Sequence, residues 1–456
     1  MKTLELLLGS LVFMGLAAGV GRAADNAAGV GRVSAVVGPV QYQSTGGGWA
    51  DALVNEPVAV GTSLRAAQGA EAELRGPGVH IALAPASELR VLRFDGDALQ
   101  IDVLTGRIGI HLDAAGAAKT LEIDLPHGGV WLAAPGDYDI AAGDAQVPAA
   151  VQVFAGKARL GGGLDDRYIV AAAADAFSDW WRSQDDNTDL AARPQLEIAG
   201  VAALDAAGRW EPNAQYGRVW FPSDIAADWT PYRDGAWRFL PPWGWTWIDA
   251  APWGFAPSHY GRWARIDDRW GWIPGAPFDA ADYSPAVVAF LGTAGIGLSR
   301  PGDFNAPPAI AWFPLGPGEA VGDGNEANYQ NRRFATAVPR AVFASGLSVA
   351  NALVDDVPTQ RFADAPVILR ALDIPPVAFG AVVTAAPRKP VAVAVAAPMP
   401  ARKAVVVAQR VAPARDVGKR LRLATAVALR SRPLASTSAF HPGHNRQHLA
   451  ATRGGA

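Results

Sequence analysis

Apolar and polar positions between residues 26 and 165 alternate in short stretches and never fall at helical spacing. Residues 32–42, 79–83, 99–104, 108–112, 121–125, 129–133 and 151–160 carry this pattern, with turn pairs such as Asp95-Gly96 and Pro135-Gly136 between them. A period of two punctuated by Gly and Pro predicts an all-β unit built of hairpins. Residues 166–198 change character. Within 175–186, Phe177 and Trp181 stand four apart behind an acidic start, which predicts a short amphipathic helix in a connector packed between domains.

A second β pattern follows over residues 199–320, and indoles dominate it. Eleven of the sixteen Trp lie between Trp210 and Trp272. Residues 234–249, DGAWRFLPPWGWTWID, match residues 260–275, YGRWARIDDRWGWIPG, with Gly-x-Trp followed by Trp-Gly-Trp in each. An earlier degenerate copy holds Trp210 and Trp220. This spacing predicts a compact β-meander of repeats. Trp243, Trp245 and Trp247 recur at a period of two, so they share one strand face, with that single face buried. On the W-G-W alignment, Trp272 takes the place of Trp245.

Residues 31–75, containing "NEPVAVGTSLRAAQGAEAELR", with the later "IDVLTGRIGIHL", "IDLPHGGVWLAAPGDYDI" and "VQVFAGKARL", resemble a FecR-type domain. That resemblance implies an extracytoplasmic β-module. Members that act as surface-signalling regulators carry a transmembrane helix and a cytoplasmic segment ahead of the domain. None precedes it here, so the resemblance does not extend to signalling. The stretch "YGRVWFPSDIAADWTPYRDGAWRFLPPWGWTWIDAAPWGFAPSHYGRWARIDDRWGWIPG" closely resembles the Trp-rich block of an uncharacterised bacterial family, the domain of unknown function numbered 6600. Residues 311–320 and 328–346 look like its continuation, and the segment between Gly318 and Asn328 looks shortened. This resemblance implies architecture and compartment, not chemistry.

The ends of the chain modify this picture. Residues 6–20 form an apolar run behind Lys2, and Gly21-Arg22-Ala23 offers small residues for cleavage, so 1–23 reads as a signal peptide. Export to the periplasm or cell envelope is expected. Cys is absent, which excludes disulfides, thiol nucleophiles and Cys-ligated metals. Net charge is −3, yet residues 385–456 carry thirteen Lys and Arg against the single acid Asp416. An acidic body thus bears a basic Ala/Pro/Arg-rich arm, expected to be disordered. Residues 321–384 read as an extension of the Trp-rich unit. The expected architecture is mainly β: a FecR-like domain at 26–165, a helical connector at 166–198, the Trp-rich repeats, their extension, and the basic arm.

Candidate chemistry concentrates in the indole block. Asp249 with Asp267 and Asp268 beside aromatic walls would suit a glycan-active hydrolase, where an acid and a base or nucleophile flank the bond. Asp267-Asp268 also reads as a turn, and His259 as a backbone-bonded corner between repeats. Alternatively, exposed rings among Trp243, Trp245, Trp247, Trp253, Trp263, Trp270 and Trp272 would stack sugars, with neighbouring Arg and Asp bonding hydroxyls and His259, Tyr260 and Arg262 among the binding candidates. Against both stands a core role for most of the indoles. The tail residues His441, His444 and His448 have chelating spacing broken by Pro442 and Gly443, so no metal or cofactor is expected. The leading expectation is a non-enzymatic binding or structural module. Its partners would be an envelope polysaccharide, an anionic lipid surface or another envelope protein, and export argues against nucleic acid.

Overall fold

The structure, a computed structural model, describes residues 29–376 except 118–119, 163–168, 171–172, 184–197, 276–282, 293–308, 355–358, 370–371 and 373. Residues 1–23, expected to be a signal peptide, and the basic stretch at 385–456, with its three His, lie outside the described residues. The chain is mainly β. Among the described residues no helix is long and apolar enough to cross a membrane.

The first unit contains β1 (Gly31–Val37), β2 (Val40–Gln43), β3 (Ala50–Asp51), β4 (Pro57–Val58), β5 (Ser63–Ala66), β6 (Glu71–Gly76), β7 (Val79–Leu83) and β8 (Glu88–Phe94). It continues with β9 (Ala98–Thr105), β10 (Arg107–Leu112), the single turn α1 (Ala114–Ala117), β11 (Thr120–Leu125), β12 (Gly128–Leu132), β13 (Gly136–Ala141), β14 (Ala150–Val153), β15 (Ala158–Gly161) and β16 (Ile169–Val170). One eight-stranded sheet runs β16-β14-β13-β10-β7-β6-β1-β4, the other β15-β12-β11-β9-β8-β5-β2-β3. Pairing is antiparallel except for β9 with β11 and β14 with β16.

Alternation decides which side chains lie between the sheets. Ile101 and Val103 of β9, Ile108 and Ile110 of β10 and Ile123 of β11 are fully buried in one aliphatic core. Gln100, Asp102, Glu122 and Asp124 occupy the opposite, outward positions. The expected single strands at 32–42 and 151–160 are each two. Gly38 (φ 71°) and Gly156 (φ 94°) sit in the left-handed region, where the missing Cβ removes the steric cost, and the chain passes there from one sheet to the other. A void of about 20 Å³ lies in this core, lined by Val58, Leu74, Ile81, Phe94 and Ile101 among others. It is water-sized and hydrocarbon-walled, too small for a ligand.

The connector helix is α2 (Ala176–Ser183). Among the described residues its apolar side chains pack on the first unit. Phe177 and Trp181 lie on Ala82 and Ala84 of the first sheet, and a Cβ on Gly109 would meet the Trp181 ring at 2.4 Å. Arg107 fixes the helix start through Asp175 (2.6 Å) while also bonding Asp139.

The Trp-rich part begins with α3 (Ala203–Ala207) and three hairpins: β17 (Gly208–Asn213) with β18 (Gly217–Pro222), β19 (Gly235–Leu240) with β20 (Gly244–Asp249), and β21 (Arg262–Ile266) with β22 (Arg269–Ile273). The turn of helix α4 (Phe255–His259) separates the last two. The expected meander would pair the hairpins in chain order. Instead the first pairs with the third, through Trp220 opposite Trp272, in a four-stranded sheet β17-β18-β22-β21. The middle hairpin stands apart as a two-stranded ribbon. Its two faces are both buried, contrary to the single buried face expected of β20. Trp245 and Trp247 join the indole cluster, whereas Leu240 and Ile248 join the aliphatic core of the first unit.

A three-stranded sheet of β23 (Val288–Leu291), β24 (Ala309–Pro314) and β25 (Thr336–Pro339) completes the cluster. Every residue of β24 is buried: Ile310 and Trp312 on the indole side, Ala311 and Phe313 on the other. Helices α5 (Arg340–Ser345) and α6 (Thr359–Asp364) follow, with Phe343 of α5 inserted among the indoles at 5.2 Å from the Trp237 ring.

Candidate functional site

Each hairpin of the Trp-rich part carries one tryptophan opposite another: Trp210 and Trp220, Trp237 and Trp247, Trp263 and Trp272. Directly opposed residues share a sheet face. Since Trp220 also faces Trp272, four indoles form one row across the four strands, in the order Trp210, Trp220, Trp272, Trp263. The pairing also corrects the repeat alignment. Trp272 is equivalent to Trp247, not Trp245, because the β19–β20 connection passes through Pro241, Pro242 and Trp243 whereas β21 and β22 meet at a two-residue turn. Trp270 is the counterpart of Trp245.

Burying an indole leaves its N–H in need of an acceptor. The indole N–H groups of Trp220, Trp263, Trp272 and Trp312 donate to the carbonyls of Leu204, Pro257, Tyr260 and Tyr232 at 2.9–3.0 Å. Trp245 donates to the carbonyl of Ile374 (3.0 Å), and Trp247 to the Asp249 carboxylate (2.9 Å). Trp270, also buried, is set edge-on to Trp263 and Phe334. Of the stacking candidates only Trp243 and Trp253 are half-buried. Trp243 packs on Tyr283 (5.0 Å) and Trp253 on Trp220 (5.0 Å).

The polar candidates are not gathered in one place. Asp249, at the end of β20, is buried and accepts from the Trp247 indole, the Ala251 amide (3.0 Å) and the Ser258 hydroxyl (3.4 Å). Burial pushes its carboxyl up to about 6 despite these donors. Asp267 and Asp268 form the β21–β22 turn, both left-handed (φ 47° and 58°), as a two-residue hairpin of this type requires. The Asp268 side chain is fully exposed, 3.6 Å from Arg265. His259 is buried, with Nδ1 2.8 Å from the Ser284 carbonyl and its ring against Phe255 (4.6 Å) and Tyr283 (4.8 Å). Burial lowers its pKa to about 4, so it is neutral at pH 7. Tyr260 is buried and its phenol raised by the same cause. Arg262 spends its N–H groups on the carbonyls of Gly261 (2.8 Å) and Glu319 (3.2 Å). Among the described residues no group of three or more His, Asp or Glu side chains is placed to hold a metal ion.

Sequence reading missed the polar seam that joins the two β units. Asn55 is fully buried with φ 70°, a left-handed conformation that Asn tolerates. Its amide donates to the carbonyls of Asp249 (3.0 Å) and Ala251 (2.7 Å), and its oxygen accepts from Arg32 (2.9 Å), which also reaches the Pro252 carbonyl (3.2 Å). The neighbouring Glu56 is buried as an ion pair with Arg238 of β19. Burial raises the Glu56 carboxyl, and Arg238 works in the opposite direction. The only hint in the sequence is two polar residues, Asn55-Glu56, set between Val54 and Pro57.

Residues 201–319 match a family of unknown function, DUF6600. The matched stretch holds the three hairpins, the row of four indoles, Asp249 and His259, and ends at Glu319, whose backbone carbonyl receives Arg262. No match to a FecR family accompanies it. The chain matches no curated protein and no solved structure.

Proposed function

We propose that this chain is an exported envelope protein that works by binding rather than by catalysis, with a FecR-like β-sandwich carried on an indole-cored scaffold. The observation that carries the reading is the fate of the candidate acids. Asp249 is sealed among the Trp247 indole, the Ala251 amide and Ser258, while Asp267 and Asp268 form an exposed hairpin turn. Hydrolysis across an aromatic cleft needs two carboxyls about 5–9.5 Å apart with a sugar between them. A buried, three-donor carboxylate and two turn residues do not meet that need. The buried indoles, bonded mostly to backbone carbonyls, support a structural role for the block.

The extracytoplasmic setting rests on the signal-like N-terminus and on the resemblance to FecR-type modules. A glycan-active enzyme is the competing reading, favoured by the Asp249 carboxyl near pH 6, in the range useful to a general acid. Incubating the full chain with neutral and anionic envelope polysaccharides, and measuring both retention and reducing-end release, separates the two. Retention without release is expected. Release of reducing ends that disappears in Asp249→Asn would overturn the proposal.

A further inference from the structure

The β19–β20 ribbon leaves one aromatic side chain in the open. Phe239 is 42% exposed, and no other Phe, Tyr or Trp among the described residues is as open to solvent. Its ring reaches toward the ribbon tip, where a Cβ on Gly244 would lie 3.9 Å from it, and it meets Trp245 on the opposite strand at 5.6 Å. The chain after α5 runs antiparallel along the other edge of β19: the Val349 amide donates to the Gly235 carbonyl, and Ser348 bridges Ala236. Leu347 therefore comes level with Trp237, on the ribbon face that Trp237 and Phe239 share. It is 47% exposed.

The C-terminal stretch of the described chain leaves from the same place. The Ile368 amide donates to the Phe290 carbonyl, Leu369 is 63% exposed, and the Ile374 carbonyl accepts the Trp245 indole N–H. Pro375 and Pro376, next in the chain, are exposed. The basic residues of 385–456 follow in sequence, thirteen Lys and Arg against one acid. The segments that frame the ribbon face, residues 235–248, 340–354 and 366–372, contain no Asp or Glu, although the chain holds 43. Open apolar side chains thus stand among stretches of an acidic protein that carry no carboxylate.

We propose that this ribbon face docks on an anionic lipid bilayer, with Phe239 and Leu347 entering the headgroup region and the basic residues after 384 drawn to the lipid phosphates. Two exposed side chains bury too little area to hold a protein on a membrane by themselves, and exposed cations alone are released by salt. Together they supply the two signals that stable peripheral anchoring requires. A negative surface approaches the apolar side chains without repulsion, because the stretches around them carry no carboxylate. This face gives the binding role proposed above a partner, and depends on that role.

Co-sedimentation of the chain purified from the cell envelope, with vesicles of equal parts phosphatidylglycerol and phosphatidylcholine and with phosphatidylcholine alone, tests it. Binding to the anionic vesicles, lowered by salt, is expected. No Trp follows Trp312 in the sequence, so quenching of tryptophan fluorescence by brominated acyl chains reports the folded body at the bilayer and not the basic residues alone. Quenching on the anionic vesicles is expected as well. The double variant Phe239→Ser, Leu347→Ser should bind these vesicles roughly tenfold more weakly or worse and lose the quenching. Its melting transition should be kept, because both side chains are exposed. If the double variant melts early, the quenching of the parent chain decides. Absent binding, equal binding to the neutral vesicles, binding without quenching, or undiminished binding in the folded double variant would overturn the proposal. A dimer in solution that the double variant dissolves would also overturn it, by giving the face to a second copy. None of these outcomes bears on reducing-end release, so the non-catalytic reading is judged separately.

Discussion

The two β units solve the same problem with different side chains. The sandwich is filled mainly by Ile, Val, Leu and Ala, which have no polar atom to satisfy and are placed by alternation, with Tyr42 and Tyr138 the polar exceptions. The hairpin unit is filled by Trp, and most of its buried rings must also find an acceptor for one N–H. An aliphatic core tolerates small shape changes with repacking, whereas a bonded indole is held in both position and orientation. The indole unit gains a large buried area from few strands and a fixed geometry as well.

Truncations of different size in the two cores should differ in cost. Trp272→Ala should cost about 3–5 kcal/mol, the range for deleting a buried aromatic, against about 0.5–1.5 kcal/mol for Ile123→Val in the sandwich. Denaturant melts of both variants check this. Equal losses would mean that the indoles are not a tightly packed core.

Acid titration sharpens the contrast, because the indole unit buries two groups with opposed shifts. Asp249 binds its proton near pH 6 in the folded protein and near its ordinary 3.8 when unfolded, so it stabilises the fold as pH falls through this window. His259 is protonated near pH 4 folded and near 6.5 unfolded, so it destabilises the fold over almost the same window. Each effect is on the order of 3 kcal/mol at full extent. Relative to the parent chain, Asp249→Asn should lose stability more steeply between pH 6.5 and 4, and His259→Gln should gain. Parallel pH profiles in all three proteins would contradict the opposed shifts.

The seam joining the units is the next largest effect. Asn55→Ala removes the donor that serves the Asp249 and Ala251 carbonyls and the acceptor of Arg32, and should cost roughly 1–3 kcal/mol. Because the seam crosses the units, their melting should separate into two transitions by calorimetry. A single transition would show that the apolar contacts of Leu240 and Ile248 suffice to couple them. The smallest effect belongs to the hairpin turn. Asp268→Gly keeps the left-handed turn and should stay within about 0.5 kcal/mol of the parent in a thermal melt.

Local structure was legible where one short-range rule decided it. Strand β7 at Val79–Leu83 coincides with the expected stretch, and the 175–186 amphipathic pattern contains α2. Long-range pairing was not legible. The contact of Trp220 with Trp272 skips a whole hairpin, and Asn55 reaches residues almost two hundred positions away. The W-G-W alignment slipped by two residues because it counted identical letters, whereas the sheet counts opposed strand positions. Of the candidate site, the backbone-bonded corner at His259 and the turn at Asp267-Asp268 followed from local sequence. The burial of Asp249 depends on α4 folding back over it.

The indole lattice also has an optical consequence. Trp220 lies within 5.0–6.4 Å of Trp253 and Trp263, which in turn approach Trp229 and Trp270 at 5.6–6.4 Å. Transition dipoles that close and mutually tilted share excitation instead of absorbing independently. The block should therefore behave as one extended chromophore, giving a paired positive and negative circular-dichroism band that isolated tryptophans lack. That couplet reports the relative placement of the hairpins, so it should vanish when the lattice loosens even if every strand remains formed.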